Sequence, residues 1–217
     1  MIEQVTLPDG TDAYVVSLLP TDRDALVAEF ETLTPETRRR RFLAPVDHLS
    51  DAMLEHLVGD VDGIDHIALV LCVETTPDVF DPVALARMVR YEDARDAADV
   101  AVTVKDEWQG RGIATLLLRS LVRQRPEGVE RIVTDVFTTN PASLRMLHSL
   151  GRTTEEDLGA GVTGVVVELE PLEDGATRLV PHPAATHAAR AGTGARLQDP
   201  VHRHALHTRD QICPWFR

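Results

Sequence analysis

The spacing of apolar positions divides the first part of the chain into one strand and several helices. Residues 13–19 (AYVVSLL) form a short apolar run of the kind that fits a strand. Residues 21–33 carry apolar side chains at helical spacing, and Thr34-Pro35 has the residue types that begin a second helix. Residues 50–57 again show helical spacing, so a further helix is predicted there.

From residue 66 onward the apolar period becomes mostly that of strands. Strands are predicted at 66–73, 82–91, 99–104, 131–137, 153–159 and 164–170, and helices at 112–125 and 141–151, the second ended by Gly151. Strands that follow each other without a helix form antiparallel hairpins, whereas 99–137 forms one β-α-β crossover. The order therefore predicts an α/β (α+β) fold with a sheet of mixed direction.

The composition changes near residue 172. The residues that follow are rich in Ala, His, Arg, Gly and Pro and have little apolar periodicity. Such segments do not bury enough apolar surface to build a core. We therefore expect a folded domain over 1–171 and a poorly ordered tail over 172–217, with an aromatic end at Trp215 and Phe216 that could dock.

The net charge of −13 argues against a nucleic-acid-binding protein, because phosphate contacts need a basic face. It leaves room for a small polyanionic ligand held by backbone amides. The longest apolar runs are too short to cross a membrane, and the N-terminus lacks the pattern of a secretory signal. Cys72 and Cys213 stand in no metal-binding spacing, so we expect reduced thiols, no metal and a cytoplasmic protein.

The stretch 105–121 (KDEWQGRGIATLLLRSL) places Gly110 and Gly112 where a stable helix must begin. Glycine is a poor helix former, so its presence needs another explanation. The first turn of a helix has unpaired N–H groups and a partial positive charge, and glycines there let an anion approach those groups. The pattern therefore predicts a backbone cradle for phosphate, to which Arg111 adds a cation. A purely structural loop is the alternative.

Two familiar nucleotide-binding patterns fit this loop poorly. A P-loop is excluded because no Gly-Lys-Ser/Thr follows the glycines. A dinucleotide fingerprint would have a small residue where Thr115 stands, and Asp135 could imitate its ribose-binding acid. The antiparallel strands that precede the loop do not suit that fold.

A third pattern fits better. Gln109-Gly110-Arg111-Gly112-Ile113-Ala114 connects a strand to a helix and resembles the pyrophosphate-binding motif of the GNAT acetyltransferase superfamily, Gln/Arg-x-x-Gly-x-Gly/Ala. The predicted element order also matches that family over residues 12–170. Three segments look like the acetyltransferase domain of bacterial Pat-type protein-lysine acetyltransferases: LTPETRRRRFLAPVDHLS, DHIALVL and ADVAVTVKDEWQGRGIATLLL.

The resemblance implies acetyl-CoA as the acyl donor and a GNAT-like, mostly antiparallel central sheet flanked by helices. Strand 99–104 would diverge from strand 131–137 and expose backbone groups to the pantetheine arm. The residues expected to contact acetyl-CoA are Val102, Val104, Gln109, Gly110, Arg111, Gly112, Ile113, Ala114, Thr115, Asn140 and Ser143. Asn140 is also a residue type that caps helices, and that role alone would explain it.

Acyl transfer to an amine needs a base and stabilisation of the developing oxyanion. The resemblance implies that Asp99 is the base, acting through water, with Glu92 as the second candidate. Many GNAT enzymes carry a tyrosine seven residues after the asparagine, as the acid for the departing thiolate. Here that position is Leu147, so the neighbouring His148 is the substitute acid to consider. A solvated strand-end carboxylate and a surface histidine are the structural alternatives for Asp99 and His148.

Two functions of different class follow from these observations. The first is an acetyl-CoA-dependent N-acetyltransferase that acts on a protein lysine or a small amine. The second is a catalytically silent acyl-CoA-binding regulatory or interaction module, which the missing helix tyrosine favours. A nicotinamide-dinucleotide protein is a weaker third hypothesis. The sequence does not identify the acceptor or the oligomeric state, and a homodimer is one of the states that it allows.

Overall fold

The computed structural model of the protein describes residues 2–76 and 79–172. The predicted tail over 172–217 lies outside these residues except for residue 172, and so do Cys213, Trp215 and Phe216. The strands are β1 (Ile2–Thr6), β2 (Asp12–Ser17), β3 (His66–Thr76), β4 (Val79–Arg90), β5 (Ala97–Val104), β6 (Arg131–Phe137), β7 (Gly151–Gly159) and β8 (Val162–Leu169). The helices are α1 (Arg23–Thr32), α2 (Pro35–Phe42), α3 (Asp51–Leu54, continued by a π turn over Glu55–Gly59), α4 (Ile113–Arg123) and α5 (Pro141–His148).

The strands form one eight-stranded sheet in the order β1-β2-β3-β4-β5-β6-β8-β7. Every neighbouring pair is antiparallel except β5 and β6, which are parallel because α4 crosses over between them. This confirms the predicted mixed, mostly antiparallel sheet. It also separates the fold from the doubly wound parallel sheet that binds dinucleotides.

Helices cover the two faces of the sheet because strand residues alternate between the faces. On one face, Leu117, Leu118 and Leu121 of α4 pack against strand side chains that include Leu69 and Leu71. On the other face, Phe30 of α1 and Phe42 of α2 pack over Ala68. Within the described residues no helix is long and apolar enough to span a membrane.

The sequence correctly places the start of α2. The side chain of Thr34 accepts a hydrogen bond from the backbone N–H of Thr37, and Pro35 occupies the first helical position. Both features satisfy the rule that unpaired N–H groups at a helix start need a side-chain acceptor or a residue without a donor.

Two local expectations differ from the structure. The short strand β1 was not predicted, because five residues of mixed polarity give little periodic signal. Gly151 was expected to end the helix 141–151, but α5 ends at His148 and Gly151 begins β7. A side chain at Gly151 would place its Cβ 2.0 Å from the carbonyl oxygen of Glu168 in β8, so strand contact explains this glycine.

Candidate active site

The parallel strands β5 and β6 pair over only two residues before they diverge. The paired positions are Ala97 with Arg131 and Ala98 with Ile132. Beyond these two pairs, side chains form hydrogen bonds with backbone groups that continued pairing of the strands would have satisfied. The hydroxyl of Thr134 donates to the carbonyl oxygen of Val100 at 3.1 Å, within the protein interior.

A second side chain contacts the other diverging strand. The hydroxyl of Tyr91, beyond the end of β4, donates to the carbonyl oxygen of Val133 in β6 at 3.0 Å. Burial raises the pKa of Tyr91, and the nearby Asp99 and Asp135 carboxylates raise it further, so the phenol keeps its proton. Tyr91 therefore acts as a donor that spans the opening between β5 and β6.

The divergence opens a cavity of about 390 Å³ between the two helical layers. Its walls come from five places: the last turn of α2, α3 with its π turn, the strands β4 to β6, α4 and α5. The polar or charged residues lining it include Arg41, His56, Arg87, Tyr91, Glu92, Asp99, Thr134, Asp135 and Ser143, and the apolar ones include Phe42, Val102, Leu118, Met146 and Leu147. A cleft of this size with a few converging polar groups is a typical ligand site.

Asp99 lines this cavity, where it is partly exposed. Burial raises its pKa above the ordinary 3.8, while a neighbouring Thr134 hydroxyl and the charges of Arg41 and Arg87 oppose that rise. The alternative of a solvated strand-end acid does not describe this environment. Glu92, by contrast, lines the rim of the same cavity and is exposed.

Behind Asp99 lies a buried polar cluster formed by His56, His66 and Arg87. Arg87 is only 4% exposed and donates to Nε2 of His66 and to the backbone carbonyl of His56. A guanidinium can only donate, so Nε2 of His66 must be the acceptor and the imidazole is neutral. Burial and, second to it, the charge of Arg87 lower the pKa of His66 to about 2 and that of His56 to about 4.

The glycine loop lies at the other end of β5 from Asp99. Gly110 has a φ of 78° and Gly112 a φ of 77°, a left-handed conformation that favours glycine, and Gly112 is the N-cap of α4. A Cβ at Gly110 would have open space within 4 Å, whereas one at Gly112 would lie 3.1 Å from Cγ of Pro8. The loop thus has room for an anion beside the exposed Gly110, close to the first turn of α4.

Two side chains of the predicted motif have partners within the protein. The amide of Gln109 donates to the carbonyl of Val104 at 3.1 Å and to the hydroxyl of Thr37 at 3.2 Å. The guanidinium of Arg111 stacks over the ring of Trp108, 4.5 Å from its centroid, and lies 3.6 Å from Asp9. The side chain of Gln109 therefore points toward α2, and Arg111 is held beside the loop.

The predicted residues of α5 separate into two groups. Asn140 caps the helix: its Oδ1 accepts from the backbone of Ser143 and its Nδ2 donates to the Ser143 hydroxyl. Ser143 and Leu147 line the cavity, and Leu147 is 1% exposed. His148 instead lies on the exposed side of α5, where its Nε2 is 2.6 Å from Oε1 of Glu155 in β7. The structure thus brings Asp99 and Ser143 to one cavity and places His148 outside it.

Several residues that line the cavity were not predicted from the sequence. Arg87 had a detectable signal, since a charge inside the apolar stretch PVALARMVRY needs a buried partner or a site. Tyr91 and Thr134 gave none, because both residue types are common in strands. Their contacts depend on which strands become neighbours.

Comparisons with known proteins agree with this geometry. Residues 32–151 match the sequence model of the Acetyltransferase (GNAT) family. Acetyltransferase Pat of Mycolicibacterium smegmatis is 36% identical over 166 residues, which are 75% of this chain and 48% of that protein. An acetyltransferase of Pseudomonas aeruginosa is 27% identical over 153 residues, which are 70% of this chain and 81% of that protein.

Among solved structures, the GNAT domain of S. lividans PAT superposes with a TM-score of 0.65 at 27% identity, over 77% of this chain and 97% of that one. The chain spans about half the length of the mycobacterial relative, 48% of it.

Proposed function

Because the chain belongs to the GNAT acetyltransferase family, we propose that it transfers an acetyl group from acetyl-CoA to an amine, with a protein lysine as the leading acceptor. One observation carries this proposal. β5 ends in the glycine loop on one side and presents Asp99 to the cavity on the other, so one strand would connect the phosphate cradle to a half-buried base.

The donor side of the proposal rests on backbone groups. The backbone amides at the start of α4 would hold the pyrophosphate of acetyl-CoA, and the diverging edge of β5 near Val102 would face its pantetheine arm. Val104 contributes less to that edge, because Gln109 already donates to its carbonyl. When bound, acetyl-CoA supplies a thioester whose carbonyl carbon accepts the amine.

Asp99 would take the proton that the amine loses as its nitrogen forms the bond to the acetyl carbon. The sulfur then departs as the thiolate of CoA. Burial suits Asp99 to this task, because a raised pKa makes a carboxylate a stronger base. The charges of Arg41 and Arg87 oppose that rise.

The resemblance to Pat-type acetyltransferases supports a lysine as the acceptor. The cavity has space for an extended side chain beside Asp99. Arg41, at the last turn of α2, lines the same cavity.

A second candidate function is a catalytically silent acyl-CoA-binding module. The position where many relatives carry a tyrosine is the buried Leu147, and His148 is turned away to Glu155. This arrangement leaves α5 without an acid directed at the cavity. Turnover with any amine would contradict this second candidate.

Calorimetric titration with acetyl-CoA tests the proposed donor site. Gly110 is the better position for a charge probe than Gly112, because a side chain at Gly112 would also press on Pro8. Gly110→Asp and Gly110→Asn have nearly the same shape, and both residue types tolerate positive φ better than most. We expect micromolar binding to the wild type and affinity for Gly110→Asp about tenfold weaker than for Gly110→Asn. No binding to the wild type would overturn the proposal.

A further inference from the structure

Asp106 lies between β5 and the glycine loop, yet its carboxylate points to the start of α2. Its Oδ2 accepts from the backbone N–H of Thr34 at 3.0 Å. Its Oδ1 accepts from the hydroxyls of Thr34 at 2.9 Å and Thr37 at 2.7 Å. Burial raises the pKa of Asp106, but the hydrogen bonds from Thr34 and Thr37 outweigh burial and leave the pKa lowered. The charged carboxylate therefore anchors the N-terminus of α2 from a separate element, which the helix dipole also favours.

Gln109 joins the same cluster from within the loop. The Thr37 hydroxyl that donates to Asp106 also accepts from Nε2 of Gln109 at 3.2 Å. Thr37 is 8% exposed, and its bonds to Asp106 and Gln109 are partly buried. One hydroxyl of α2 thus holds two residues on either side of the turn that leads into the loop.

The opposite end of α2 forms a wall of the cavity. Arg40, Arg41, Phe42 and Leu43 line the cavity directly after the helix turn that follows Thr37. A helix of eight residues is about 12 Å long and moves as one rigid piece. Any shift at its first turn therefore reaches the residues that border Asp99.

The geometry assigns Asp106, Thr37 and Gln109 as positioning residues that couple the glycine loop to the acceptor side of the cavity. Occupation of the loop fixes Asp106 and Gln109, these fix the first turn of α2, and α2 fixes the wall formed by Arg41 and Phe42. This inference rests on the proposed function, since it takes the loop as the site that holds the acyl donor. It gives Gln109 a task that the motif alone does not indicate.

Hydrogen–deuterium exchange of α2, with CoA itself as the probe, tests this coupling without an acceptor. In the wild type we expect the amides of residues 36–42 to exchange about fivefold more slowly when CoA is bound. Thr37→Val keeps the shape of the side chain and removes the shared hydroxyl. We expect this variant to bind CoA with nearly unchanged affinity and to lose the slowing in α2.

Two further variants separate coupling from a general loss of stability. Thr37→Ser restores the hydroxyl and should restore the slowing. Thr32→Val removes a hydroxyl that donates only within α1, to the carbonyl of Glu29 at 2.7 Å, and should behave like the wild type. If Thr37→Val does not fold, Asp106→Asn is used instead, because it removes the charge and keeps the shape of the side chain. We expect it too to bind CoA with nearly unchanged affinity and to lose the slowing in α2.

The outcomes distinguish this inference from the proposed function. Absence of CoA binding in the wild type overturns both. CoA binding without slower exchange in α2 overturns the positioning role and leaves the donor site intact. Coupling predicts that Thr37→Val loses the slower exchange in α2 but keeps its affinity for CoA. The positioning role is therefore also overturned if the slower exchange persists in Thr37→Val, or if this variant loses both the slower exchange and the affinity.

Discussion

The hydroxyl of Thr134 in β6 donates to the carbonyl of Val100 in β5 at 3.1 Å, just past the point where the two strands stop pairing. A side chain thus replaces the ladder hydrogen bond that the divergence removes. On the other side of the opening, the hydroxyl of Tyr91 donates to the carbonyl oxygen of Val133 in β6. These two bonds satisfy backbone carbonyl groups where the strands diverge at the candidate active site.

Removing the Thr134 hydroxyl should therefore destabilise the fold. Thr134→Val keeps the side-chain shape but leaves the buried carbonyl of Val100 without its donor. We expect a loss of about 1–3 kcal/mol in the free energy of unfolding, measured by urea denaturation. Thr134→Ser keeps a hydroxyl donor and should therefore retain most of the free energy of unfolding that Thr134→Val loses. An unchanged denaturation midpoint for Thr134→Val would show that water satisfies the carbonyl instead.

Asp99 and Glu92, two of the carboxylates that line the cavity, should differ in their effect on turnover. With acetyl-CoA and a lysine peptide as substrates, Asp99→Asn should lower kcat by about 10²–10⁴-fold, because it removes the base. Binding of acetyl-CoA by calorimetry should be retained. Glu92→Gln, at the exposed rim, should change kcat much less. The reverse order of effects would transfer the role of base to Glu92.

The pH profile of the same reaction gives an independent measure of Asp99. The base is active when it is ionised, so kcat/KM should rise with pH through the pKa of the carboxyl group. Since burial raises that pKa, the acidic limb should lie above the ordinary value of 3.8. An acidic limb that persists unchanged in Asp99→Asn would assign it to another group.

His66 should make the fold sensitive to mild acid. Its imidazole is neutral in the folded protein, with a pKa of about 2, whereas the unfolded chain binds a proton below its pKa of 6.5. The unfolded state then holds more protons, so stability falls as the pH drops below 6.5. At pH 5.5 the expected loss is about 1.4 kcal/mol from this residue.

Denaturation at pH 7.5 and 5.5 checks this expectation. His66→Gln cannot titrate, and its amide oxygen can still accept from Arg87, so the difference between the two pH values should shrink. His48→Gln changes an exposed histidine and should leave the difference as in the wild type. Equal pH dependence in the wild type and His66→Gln would contradict a neutral His66 in the folded state.

Gly151 should tolerate no side chain, because a Cβ there would lie 2.0 Å from the backbone carbonyl of Glu168. We expect Gly151→Ala to cost about 3 kcal/mol by forcing β7 away from β8. Gly164→Ala is the matched control, since its Cβ would contact only the side chain of Leu158, at 3.2 Å, which can move. Comparable thermal stabilities of the two variants would show that the strands can separate at no cost.

Much of the fold was predictable from local patterns. The alternation of apolar residues predicted seven of the eight strands, and the Thr34-Pro35 signal placed the start of α2. The strand, glycine loop and helix around Gly112 are close in sequence, so their spacing alone predicted the loop at the start of α4. These features follow from backbone geometry and burial, which act over a few residues.

The tertiary structure decided which side chains meet. Asp99, Arg87 and Thr134 come from three strands, and only the sheet order brings them to one cavity. Gln109 belongs to the loop by sequence, but folding places its amide against Thr37, 72 residues earlier. Hydrogen bonds and charge interactions depend on distance in space, and the sequence reports that distance only within an element. The sequence therefore determined the elements and the loop, and the packing of α2 and β6 against β5 determined the site.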